Sequence, residues 1–331
     1  MRSAKQILAK TQILFYTIHL AAIAVSFSLL AISEAHAREE GAHSNLCKSI
    51  QDIVEKIVEY KVIFVGELHG TEEAPTLVSC LGEAIISQHE SLMLGLELPA
   101  ELEIDLYNYM VSATADERTW ILNNWFWRDA HYQDGRRSRA MLGLLRRARG
   151  WRQQGHRVFV HAIDYFYDPD MRKAAGIDAN RRNAFMAARI KALIEKEKTD
   201  RVVVLTGRGH ARTRPYDNPA YADDPPIPLQ LGTLQTWSID VWAVQGERWS
   251  CFRAPGTSRL RCGERPVEPL RPHPAIAAPV YRPLHADPDA AFDAELILPA
   301  FTASPPAWMD FAWNDCDRVP PTWEPCASQR R

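Results

Sequence analysis

Lys61-Val62-Ile63-Phe64-Val65-Gly66-Glu67-Leu68-His69-Gly70 is the stretch from which the fold can be read. Val62 to Val65 are apolar and largely β-branched with no polar alternation, which predicts a short strand buried on both faces and stopped by Gly66. Glu67 and His69 follow in a polar loop that continues through Thr71, Glu72 and Glu73 and has no core to serve. Three later runs are built alike: Ser91 to Leu96 ends at Glu97, Arg157 to Ile163 at Asp164, and Arg201 to Thr206 at Gly207-Arg208-Gly209-His210. Helical patterns separate them. Leu46, Ile50, Ile53, Val54, Ile57 and Val58 recur at three- and four-residue spacing, and a helix is expected from near Pro75 towards His89. Two or three more helices fill 99–155, and a long one runs from Asp178 to Lys198. Apolar strands alternating with helices predict an α/β fold: a mainly parallel central sheet flanked by helices on both faces.

The chain changes character after Ala211. A strand at Thr236 to Val244, a hairpin partner at Trp249 to Phe252 and an Ala/Pro stretch from Pro266 to Pro288 predict a C-terminal antiparallel hairpin edge and a disulfide-stapled irregular extension. At the other end, Arg2, Lys5 and Lys10 precede an apolar run from Ile13 to Ile32 that closes at Ala35-His36-Ala37, the build of a secretory signal peptide. The expected organisation is therefore a signal at 1–37, an α/β domain at 38–265 and a Pro-rich extension at 266–331. The mature protein is expected in the periplasm or outside the cell, with no stable membrane anchor after cleavage.

Removing Arg2, Lys5, Lys10 and Glu34 from the 39 basic and 41 acidic residues leaves a net charge of about −4. That balance gives neither nucleic acid nor an anionic membrane an electrostatic footing, and the expected partner is a small-molecule or peptide substrate. Six cysteines without a CxxC pair, in an exported chain, read as disulfides. Cys251 with Cys262 spans the chain-reversing Pro255-Gly256, Cys316 with Cys326 brackets Pro320-Pro321, and Cys47 with Cys80 remains.

In an open parallel sheet, ligands bind outside the carboxyl ends of the strands. That edge would gather Glu67, His69, Glu97, His161, Asp164, Arg208 and His210. Glu67 and His69, two residues apart, suit either a metal site or a carboxylate that orients a histidine base. Glu97 is the only charge in its run and needs a partner to be buried. The aromatic segment Trp125-Phe126-Trp127-Arg128, continuing to His131, is read as a lid, with Trp125 and Trp127 contacting substrate. Arg128 or Arg208 would stabilise an oxyanion. The run Arg136, Arg137, Arg139, Arg146, Arg147, Arg149 and Arg152 reads as a solvated helix face. With nitrogen and oxygen donors and no thiolate, zinc, manganese or cobalt would be admissible. No Gly-x-Ser-x-Gly, Walker or His-Glu-x-x-His motif is present.

Two Gly-x-x-His motifs at strand ends, together with Leu96-Glu97 and Ile163-Asp164, resemble the superfamily joining erythromycin esterase, Tiki and ChaN proteins, over roughly Val62 to Ala211. The resemblance implies three activities. A Tiki-like metal-dependent protease would draw on His69 and His210 for its metal. An erythromycin-esterase-like hydrolase would use His69 as a base on water, and a ChaN-like protein would bind haem for iron uptake. The sequence reading is thus an exported metal-dependent hydrolase of ester or amide bonds, with Glu67, His69, His210 and Arg128 catalytic and Glu97, Asp164, His161 and His131 as ligands or their support. A haem- or metal-binding uptake protein is the alternative.

Overall fold

The computed structural model describes residues 46–57, 59–112, 117–128, 134–253, 260–268, 273–284 and 286–310. The signal segment, His131, Cys316 and Cys326 lie outside these. After helix α1 (Gln51–Ile57) the elements run β1 (Val62–Glu67), α2 (Glu73–Ser87), β2 (Leu92–Pro99), α3 (Glu103–Val111), α4 (Trp125–Arg128), α5 (Arg139–Gln153), β3 (Val158–Asp164), α6 (Pro169–Ala174), α7 (Arg182–Glu197) and β4 (Arg201–Gly207). A short α8 (Ile227–Gln230) then precedes β5 (Thr236–Ala243), β6 (Glu247–Arg253), β7 (Leu260–Pro266), β8 (Val280–Pro283) and β9 (Ala294–Leu298).

Seven strands form the main sheet in the order β3-β2-β4-β1-β5-β9-β8. All neighbouring pairs are parallel except β8 with β9. The buried runs explain this: β1 and β2 are buried at every residue, as strands covered on both faces must be. One face packs Val62, Phe64, Met93, Val202 and Val204 against Met186, Ala187 and Ile190 of α7. On α5 the apolar residues Met141, Leu142, Leu144, Leu145, Ala148 and Trp151 are buried, and Ser138 caps the helix by accepting from the Met141 amide at 3.2 Å.

Two pairings differ from the sequence reading. Thr236–Ala243 is an interior parallel strand between β1 and β9, and the hairpin consists of β6 with β7 as a separate sheet. Both β8 and β9 come from the stretch beyond 266, where the apolar run Ala294–Leu298 outweighs the surrounding prolines. Cys251 and Cys262 face each other across the hairpin and are joined as a disulfide, and Cys47 and Cys80 are each disulfide-bonded. No helix among the described residues is long and apolar enough to cross a membrane.

Candidate active site

The ends of β1, β2, β3 and β4 meet as adjacent strands, so side chains far apart in sequence converge. Glu67 pairs in register with Gly207, and Pro99 with Asp164. The β2–β3 register shifts between Leu96 and Pro99, the kind of irregularity that re-aims a side chain, here Glu97. Glu97 becomes the centre of the cluster. Its Oε2 accepts from Thr206 Oγ1 and the Gly207 amide, both at 2.6 Å, while its Oε1 accepts from Arg182 Nη2 at 2.6 Å and Arg136 Nη1 at 3.2 Å. The two histidines flank it, with His69 Nε2 at 3.6 Å and His210 Nε2 at 3.8 Å from Glu97 Oε1.

His69 donates from Nδ1 to Glu67 Oε1 at 2.8 Å. Burial disfavours its charged form, but Glu97 and Glu67 together outweigh burial and push the imidazole up to about 10. At neutral pH His69 is an imidazolium. His210 is held differently: Nδ1 lies 2.5 Å from Asn183 Oδ1, and Arg182 Nη1 donates to Nε2 at 3.2 Å. Because a guanidinium can only donate, Nε2 carries the lone pair and Nδ1 the proton. Burial and the Arg182 charge overcome the pull of Glu97 and lower His210 below its ordinary value, so it stays neutral. Glu97 is held well below the usual carboxylate range; burial opposes this, and the flanking imidazoles and Arg136 prevail. With His210 neutral, its cationic partners are His69, Arg136 and Arg182.

Backbone geometry makes the convergence possible. A side chain on Gly207 would meet His69 Nε2 at 3.1 Å, so this glycine makes room for the imidazole. Gly135, at φ +100°, lies so close to the His69–Gly70 backbone that a Cβ would approach the Gly70 nitrogen to 2.2 Å. The chain arriving from Gly135 delivers Arg136, which bonds Asp134 through Nε at 2.8 Å and reaches Asp164 Oδ2 at 3.1 Å. Arg182 completes the net with Nε on Asp164 Oδ1 at 2.7 Å and Nη2 on Asp164 Oδ2 at 2.5 Å. Tyr167 lies under Arg136 and Tyr165 under Arg182, each 5.3 Å from the ring centroid.

Of the residues expected at the edge, Glu67, His69, Glu97, Asp164 and His210 are together here. His161 is not: three positions before Asp164 it projects from the opposite face of β3, where Nδ1 pairs with Glu103 at 2.6 Å and Nε2 lies 3.5 Å from Glu197. Arg208 is held bidentately by Asp240, with both contacts at 2.5 Å, and does not enter the Glu97 net. Arg128 is exposed, and among the described residues its side chain forms no ion pair with the cluster. Trp127 is buried, whereas Trp125 is half exposed and packs 6.4 Å from the Tyr167 ring.

Arg136, Arg182 and Asn183 were missed. Arg136 and Arg137 do not belong to a solvated face; they precede α5, and both are buried. A signal for Arg182 exists: α7 starts there rather than at Asp178, and basic residues opening a helix oppose its dipole.

The donor set does not fit a divalent cation. All four oxygens of Glu97 and Asp164 already accept from N–H or O–H groups, Asp164 Oδ1 also taking the Tyr165 amide at 2.8 Å. A metal would sit against two buried guanidinium groups. Among the described residues no group of three or more His, Cys, Asp or Glu has metal-holding geometry. A haem iron would have to compete with Glu97 for both histidines, whose Nε2 atoms lie 3.6 and 3.8 Å from its Oε1, and the protonated His69 has no lone pair to offer it.

Neither a family model nor a curated protein matches the sequence. Solved structures do match. A variant of erythromycin esterase EreC in its open conformation aligns with TM-score 0.55 and 12% identity over 78% of this chain and 96% of that one. A succinoglycan biosynthesis protein aligns with TM-score 0.56 and 8% identity over 80% and 98%. Haem-bound ChaN of Campylobacter jejuni aligns with TM-score 0.37 and 11% identity over 58% and 85%. At these identities the likeness is one of fold, and the fold is that shared with erythromycin esterase EreC, in agreement with the strand-end motifs.

Proposed function

We propose that the chain is an exported hydrolase of ester or amide bonds that works by acid–base catalysis without a metal. The observation that carries this reading is the pair of histidines on either side of Glu97, one protonated and one neutral at the same pH. Titratable groups whose surroundings push them apart are the signature of an acid and a base working together. As Arg182 Nη1 gives up its 3.2 Å contact, His210 Nε2 takes a proton from water, whose oxygen bonds to the carbonyl carbon. Arg182, a quarter exposed beside His210, faces the negative charge that develops on the carbonyl oxygen. The His69 imidazolium then protonates the leaving oxygen or nitrogen as its bond to carbon breaks. Both rings are then reset from solvent, His210 losing the proton it took and His69 regaining the one it gave, while Glu97 stays ionised between them.

This reverses the role that the esterase resemblance assigns to His69, because a histidine already protonated cannot act as the base. Export is supported by the Cys251–Cys262 disulfide as well as by the N-terminal sequence. The EreC fold is compatible with ester chemistry and adds no residue role.

The test is a panel of esters and amides assayed in the presence of chelator. Activity is expected to survive chelation and to follow a bell in pH, with a lower limb below 6.5 and an upper limb near 10. His69→Ala and His210→Ala should each lower kcat by roughly 10²- to 10⁴-fold. Activity abolished by chelator, or a rate still climbing through pH 10, would overturn the proposal.

A further inference from the structure

The helix that brings Arg182 and Asn183 to the site has no cap of its own. Arg181 stands at the N-cap position of α7 without a side-chain cap hydrogen bond, no acidic residue follows in the first turn, and Arg181 and Arg182 set positive charge against the helix dipole. The missing acceptor arrives from the far side of β4. Asp224, which is buried, accepts from the Asn183 amide through Oδ2 at 2.8 Å and from the Ala184 amide through Oδ1 at 2.9 Å. These are the two donors that an N-cap side chain ordinarily satisfies.

Capping accounts for the carboxylate but not for the backbone beside it. The Asp224 carbonyl accepts from Asn183 Nδ2 at 2.9 Å, and Tyr216 Oη lies 3.4 Å from the same nitrogen. An amide nitrogen can only donate, so these oxygens fix Asn183 with Nδ2 towards Asp224 and Oδ1 towards His210. Oδ1 lies 2.5 Å from His210 Nδ1 and, as an acceptor, requires the ring proton there. The same segment grips the histidine loop as well: the Ile227 amide donates to His210 O at 3.0 Å, and Tyr216 Oη donates to Gly209 O at 2.8 Å. Residues 216–227 therefore hold the start of α7 and the 207–210 loop in one register, with Asp224 as the joint on the helix side.

We infer that Asp224 is a positioning residue of the histidine site: by anchoring the first turn of α7 it holds Asn183 Oδ1 against His210 Nδ1 and so keeps the lone pair of His210 on Nε2. That nitrogen is the one that takes a proton in the hydrolytic reading, on which the inference rests for its consequence in catalysis. Asp224 touches neither the ring nor the reacting atoms and acts through Asn183 alone.

The tautomer of His210, read in the full chain near neutral pH by long-range proton–nitrogen correlation and assigned with His210→Gln, tests this without a substrate. Wild type is expected to carry the proton on Nδ1, and Asp224→Ala to shift a substantial share of the ring to the Nε2–H form. In the ester and amide assay Asp224→Ala should lower kcat by at least about tenfold with KM within about twofold of wild type. Adding Arg181→Ser to Asp224→Ala gives α7 a local cap and should recover thermal stability, but neither the tautomer nor kcat, because the new cap makes no bond to the 216–227 segment. Asp223→Asn, the same loss of charge on the exposed neighbour, should change nothing. A His210 that keeps its proton on Nδ1 in Asp224→Ala, a double variant that recovers tautomer and kcat along with stability, or an equal effect from Asp223→Asn would overturn the inference. A wild type that hydrolyses nothing while Asp224→Ala still shifts the tautomer would count against the hydrolytic reading and uphold the positioning.

Discussion

The loops 66–69 and 207–210 share the pattern Gly-x-x-His and stand on neighbouring strands, yet they hold their histidines in opposite states. His69 lies between two carboxylates, Glu67 and Glu97; His210 lies between the Asn183 amide oxygen and the Arg182 guanidinium. Backbone motif and strand order are the same in both. The difference is set by which side chains from β1, β2 and α7 reach each ring, so two copies of one motif become an acid and a base.

Removing the shared anion should break the comparison most severely. Glu97→Gln leaves Arg136, Arg182 and His69 buried around a neutral amide, and a loss of about 3–5 kcal/mol in urea unfolding is expected. A smaller effect follows from His69 alone. Its folded-state value of about 10 lies above the ordinary 6.5, so its stabilising contribution is fully present below pH 6.5 and is lost as pH rises through 10. Stability should decline across that window by an amount on the order of a few kcal/mol. His69→Gln should flatten the decline, which denaturation at a series of pH values will reveal.

Asn183→Asp sharpens the comparison by giving His210 a carboxylate partner like that of His69. Its titration should move upward, as followed by histidine ring proton shifts. Arg128→Ala should do least. Its exposed side chain lies outside the cluster, and unfolding free energy should stay within about 0.5 kcal/mol of wild type.

Much of this arrangement is legible from residues alone. Val62–Val65, Leu92–Leu96, Val158–Ile163 and Val202–Thr206 announce buried parallel strands, and Glu67, Glu97, Asp164 and His210 stand where such strands end. What distinguishes His69 from His210 is not legible, because Arg182 and Asn183 arrive from a helix whose sequence places them only at its first turn, and Arg136 from a loop that looks like the start of a basic helix face. Their roles depend on packing between segments dozens of residues apart. His161 shows the converse: a histidine near a strand end is sent to the other face by the two-residue period, and Glu103 and Glu197 receive it there. The pairing of β5 with β1 rather than with β6 is likewise a long-range choice, made when the apolar run Ile297–Leu298 and its neighbours supply β9 as a partner on the far side.

The most direct test of the account is a two-dimensional NMR titration of the histidine rings in the intact protein, assigned with His69→Gln and His210→Gln. His69 is predicted to remain protonated until near pH 10 and His210 to lose its proton below 6.5. Both rings titrating together near 6.5, or His69 neutral at pH 7, would contradict it.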